Sequence, residues 1–91
     1  MTVAETMERK LREAFRPARL ELEDQSHLHA GHAGHNPAGE SHFHLILVSE
    51  AFAGQSRVAR QRAVYQVLAE ELSGRVHALS LETRTPEEEA A

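Results

Sequence analysis

Ninety-one residues are enough for one modest core, and the 41% hydrophobic content with only three Phe and one Tyr makes that core chiefly aliphatic. Without a single Cys, disulfides, thiol nucleophiles and a self-contained Cys metal site are excluded. The net charge of −4 argues against general attraction to nucleic acid, and seven His carry it to +3 when fully protonated. Thr2 and Glu5 form the capping box of a first helix reaching about Phe15, with Val3, Met7, Leu11, Ala14 and Phe15 on one apolar stripe. Pro17 ends it.

"RLELEDQ" (19–25) alternates, Leu20 and Leu22 facing one way and Glu21 and Glu23 the other, as in a strand with one wet face. From Ser26 to about Glu40 the chain carries three Gly, one Pro and one Asn and reads as a loop. Six of the seven His fall between His27 and His44. "SHFHLILVS" (41–49) is the strongest strand signal, with Phe43, Leu45 and Leu47 on one face and His42, His44, Ile46 and Val48 on the other.

"EAFAG" predicts a helical turn stopped at Gly54, and Ser56 caps a longer helix to about Leu72. Its inner stripe is read as Val58, Tyr65, Leu68 and Leu72, with Val64 beside them. Turn, Gly and helix together have the outline of a helix-turn-helix. Gly74 closes that helix, and "RVHALSLETR" (75–84) is the third strand, placing His77, Leu79 and Leu81 on one face. Thr85, Pro86 and Glu88 are cap, first-turn and box positions of a short final helix. The expected fold class is therefore α+β in the order α-β-β-α-α-β with a short C-terminal helix. Residues 1–91 make a single domain, with a three-stranded sheet and helices on one face.

Several motifs then combine. Glu40-Ser41-His42-Phe43 enters the second strand, and Phe52-x-Gly54 precedes Arg60-x-Arg62-x-Val64-Tyr65. Glu70-Glu71-Leu72, Val76-His77-Ala78-Leu79 and Thr85-Pro86 follow in that order. In this combination, across nearly the whole chain, they resemble the BolA family. The resemblance implies a fold related to the type II KH domain. It also implies a monothiol glutaredoxin as partner, and a [2Fe–2S] cluster held between the two proteins with glutathione. Glutaredoxin and glutathione supply thiolates and the BolA-like chain supplies histidine, in iron–sulfur cluster maturation or iron-linked regulation. Some bacterial members are linked to DNA binding and transcription.

By this resemblance His77 is the first metal ligand, at the start of the third strand. His29 or His32 is the second, His29 counted forward from the first strand and His32 counted back from His42. His35 is a weaker alternative and His27 sits nearest the strand end. His42 is assigned a structural role in ordering the loop's return, outside the ligand set, and His44 a place on the surface. Two departures stand out: Arg60-Gln61-Arg62 replaces the family's usual Arg-His-Arg, and the loop is longer and richer in His than in many members.

Read from the residues alone, His77 is first a half-buried strand His aligned with Leu79 and Leu81 and hydrogen-bonded to backbone, and it is the resemblance at Val76-His77-Ala78-Leu79 that favours a ligand. The loop spacing His-x-His-x2-His-x2-His also suits adventitious Zn, Ni or Cu. Arg57, Arg60 and Arg62 form the basic cluster of a DNA-binding alternative that uses segment 50–72. RNA fits poorly, because Gly54-Gln55-Ser56-Arg57 lacks the second Gly of a phosphate-clamping loop. No nucleophile motif points to an enzyme. With no membrane span or secretory core, a cytoplasmic protein is expected, alone a monomer or weak homodimer.

Overall fold

The computed structural model describes residues 2–25 and 41–91. Helix α1 (Val3–Phe15) starts where Thr2 accepts from the Glu5 amide while the Glu5 carboxylate accepts from the Thr2 amide, the expected capping box. It stops at Arg16, whose left-handed φ of 45° lets its amide bond back to the Arg12 carbonyl before Pro17. Strands β1 (Arg19–Asp24) and β2 (His42–Val48) pair antiparallel, Leu22 opposite Leu45. A 3-10 turn (Glu50–Phe52), helix α2 (Arg57–Val67) and helix α3 (Ala69–Ser73) carry the chain across to β3 (Ala78–Arg84). That strand runs parallel to β2, which is why a crossover of this length is needed. Helix α4 (Pro86–Ala90) ends the chain under a second capping box, Thr85 with Glu88. The sheet order is β1-β2-β3, mixed, with β2 central.

The period of two in β2 has the expected outcome on one face: Phe43, Leu45 and Leu47 are buried. They meet Met7 and Leu11 of α1, Val64 of α2, Leu68, Phe52 and Val76 in one core, so α1 and α2 share a face of the sheet. Each such aliphatic side chain contributes about 1.5–3 kcal/mol through burial. Leu20 and Leu22, from β1, and Leu79 and Leu81, from β3, extend the same layer.

Four expectations are corrected. In α2 the inward residues are Arg60 and Val64, followed by Leu68, at helical spacing, whereas Val58 is 54% and Tyr65 41% exposed. A count of apolar residues missed this because the stem of an Arg packs like an aliphatic chain. The long helix to Leu72 is two helices, separated at Leu68. Lys10 of α1 holds the second of them through Glu71 at 2.8 Å. Ala14 is exposed, off the α1 stripe. The third strand begins at Ala78, so Arg75, Val76 and His77 precede it.

Candidate functional site

The strand register brings the start of β2 beside the start of β3, His42 opposite Ala78. Just before β3, the His77 amide donates to the Ser41 carbonyl at 2.7 Å and the Ala78 amide donates to the same oxygen at 3.1 Å. One buried carbonyl thus fixes the backbone of both residues. On the other side the Gln25 amide donates to the His42 carbonyl at 2.7 Å. Gln25 and Ser41, the two points at which the described chain meets segment 26–40, therefore sit at the same end of the sheet as His77.

The two imidazoles at this end differ in setting. His42 is 6% exposed, and its Nδ1 shares a 2.9 Å hydrogen bond with the buried Ser41 Oγ. His77 is exposed, its ring tilted against that of His42 with centroids 5.3 Å apart. His29 and His32, the candidates for a second ligand, lie outside the described residues, as do His27 and His35. Among the described residues no group of three or more His, Asp or Glu side chains converges to enclose a metal ion. A metal at this end would find exposed imidazole nitrogen from His77, and any thiolates would come from another molecule, since the chain has no Cys.

His44 is not a plain surface residue. Its Nδ1 lies 2.6 Å from Ser80 Oγ and its Nε2 2.9 Å from Glu82 Oε2, so the ring bridges two residues of the neighbouring strand. The bond to His44 is the main reason the Glu82 carboxyl titrates below its usual range, with Arg84 adding to the effect.

The basic cluster is divided by the fold. Arg57 and Arg62 are exposed, but Arg60 is 9% exposed and turned inward. Its guanidinium donates to both oxygens of Glu88, at 2.6 and 3.0 Å, and to the Gln55 carbonyl at 3.0 Å. It also lies 5.8 Å from the centroid of the Phe52 ring. Glu88 is held down to about 2, chiefly by Arg60 and then by the Thr85 amide. A cleft of about 590 Å³ opens here between α2 and β3, with Arg57, Arg60, Gln61, Leu81 and Glu88 among its walls. Local sequence marks Glu88 as a capping residue and Arg60 as part of a basic cluster; their pairing across 28 residues has no signal in either neighbourhood.

Fold and site together define a small α+β protein whose three-stranded mixed sheet presents a histidine at one end. Residues 11–88 match the model of the family described as BolA-like protein, and the chain belongs to that family. It is 48% identical over 88 residues to the DNA-binding transcriptional regulator BolA of Escherichia coli (strain K12), covering 97% of this chain and 80% of the relative. An uncharacterized protein in the cobS 5' region of Sinorhizobium sp is 51% identical over 89 residues, with 97% and 96% covered. Among solved structures, BolA1 from Arabidopsis thaliana aligns with a TM-score of 0.86 at 39% identity, over 97% of this chain and 96% of that one. These relatives bear out the resemblance drawn from the motifs. No described helix is long and apolar enough to cross a membrane.

Proposed function

We propose that this chain is an adaptor that pairs with a monothiol glutaredoxin and shares a [2Fe–2S] cluster with it, in cluster maturation, trafficking or iron-linked regulation. The BolA-like chain makes and breaks no bonds of a substrate; it offers imidazole where the partner and glutathione offer thiolates. Replacing thiolate by His lowers the negative charge of a cluster and raises its potential. A cytoplasmic setting, and a monomer or weak homodimer in the absence of the partner, belong to the same proposal.

The observation that carries it is the exposed His77 at the sheet end where segment 26–40 is anchored, through Gln25 and Ser41. His29 follows Gln25 by four residues and His32 precedes Ser41 by nine, so each is close in sequence to a described residue at this end of the sheet. A second imidazole from the same chain would then come from this segment. His29 and His32 both remain candidates for it. The test is reconstitution with a monothiol glutaredoxin, glutathione, iron and sulfide. The visible spectrum should change from that of the glutaredoxin cluster alone, and His77→Ala should remove the change. His29→Ala and His32→Ala, made in turn, assign the second ligand. A wild-type chain that leaves the spectrum unaltered rejects the proposal.

A second reading, binding of duplex DNA, is supported by the name of the Escherichia coli relative and by exposed Arg57 and Arg62 on α2. Arg60 is occupied by Glu88 and is a poor phosphate ligand as it stands. This reading expects salt-dependent binding that weakens in the Arg57→Ala, Arg62→Ala double variant. Absence of binding at low salt removes it.

A further inference from the structure

The proposed ligand His77 stands outside regular structure, one residue before β3, where a side chain on a free loop would sample several rotamers. What surrounds it here is unusually fixed. Ser41 is 1% exposed, and its carbonyl receives both the His77 and the Ala78 amides. His42 is buried at the first position of the central strand, oriented by the Ser41 Oγ at its Nδ1, and its ring lies against the ring of His77. The dipeptide Ser41-His42 thus bounds His77 twice, at the backbone and at the ring. We infer that His42 is a positioning residue for His77: its buried ring limits His77 to the rotamer that presents the imidazole outward. The inference rests on the proposed function for its purpose, but the geometry it describes belongs to this chain alone.

Holding a ligand in place before the metal arrives removes an ordering cost from binding, and partners that orient a ligating His typically matter 10–100-fold in affinity. The role asked of His42 is shape, not coordination, which separates it from a ligand by substitution. His42→Phe keeps a planar ring of similar size on the buried strand position; His42→Ala does not.

The first measurement uses the isolated chain. Three-bond couplings of the His77 side chain, read by NMR, should report one dominant rotamer in the wild type and in His42→Phe, and averaging in His42→Ala. The second is the glutaredoxin reconstitution, where His42→Ala should weaken the shared complex at least about tenfold and His42→Phe by no more than about threefold. His42→Leu, which removes the ring but keeps the buried strand position filled, serves as a milder variant should His42→Ala fold poorly, and should loosen the His77 rotamer partially. Averaged His77 couplings in the wild type overturn the inference. So does a His42→Phe complex as weak as that of His42→Ala, which would make His42 a ligand. A wild-type chain with one His77 rotamer but no spectral change rejects the cluster proposal and leaves the positioning geometry standing.

Discussion

Where β2 and β3 finish, the chain is tied down by charge; where they begin, it is tied down by backbone carbonyls and imidazole. At the finishing end Arg60 grips Glu88, Arg19 and Arg84 reach Glu89, and the buried Ser49 donates its hydroxyl to the Phe15 carbonyl and its amide to the Arg84 carbonyl. At the beginning end there are Ser41, His42, His77 and the anchors of the His-rich segment. The difference separates two jobs. Ion pairs hold a terminal helix of only five residues, too short to persist by itself. The exposed imidazole of His77, backed by the buried ring of His42, can offer nitrogen to a metal, which a guanidinium engaged by a carboxylate cannot.

If this division is right, breaking the charged end should cost stability and spare the histidine end. Arg60→Ala should show the largest effect: about 2 kcal/mol in chemical denaturation, since the Gln55 carbonyl and Glu88 lose a charged donor and the core loses the stem. Its reconstituted spectrum, taken on folded protein, should match the wild type. A stability change under 0.5 kcal/mol would show that the clamp is decorative.

Thr85→Ala removes the hydroxyl that caps α4 and should cost about 1 kcal/mol, measured the same way. Glu88→Gln sharpens the comparison through pH. Glu88 titrates at about 2 in the folded chain, below the ordinary carboxylate value of about 4.3, so its contribution is present above that value. The contribution disappears as the pH falls from about 4.5 toward 2. Wild type should therefore lose stability more steeply across that window than Glu88→Gln, in denaturant midpoints taken at pH 5, 3 and 2. The smallest stability effect belongs to the other end: His77→Ala, at an exposed position, should stay within about 0.5 kcal/mol while removing the spectral change with glutaredoxin. A large loss of stability there would mean that His77 is structural.

How far these residues could be read in advance depended on how local their physics is. Both capping boxes, Thr2 with Glu5 and Thr85 with Glu88, span three residues, and both formed as read. The alternation of Phe43, Leu45 and Leu47 is equally local, because the pleat alone sets it. Val58 and Tyr65 misled because the angular position of a helix face depends on which neighbour it meets, and here the neighbour favoured Arg60. At the candidate site, His77 was reachable through its motif. The carbonyl of Ser41, which fixes it, left no sequence signal, since every residue has a carbonyl.

The sequence by itself determined the succession of strands and helical segments, the apolar core face of β2, the absence of thiolates and, through its motifs, the family. These follow from side-chain periodicity, capping chemistry and composition, all carried by short windows of chain. Only the tertiary structure decided that Arg60 belongs to Glu88 and not to a phosphate, that His44 bridges Ser80 and Glu82, and that His42 backs His77. Those pairs are 28, 36, 38 and 35 residues apart along the chain. Their partners are set by strand register and crossover packing, which no local pattern encodes.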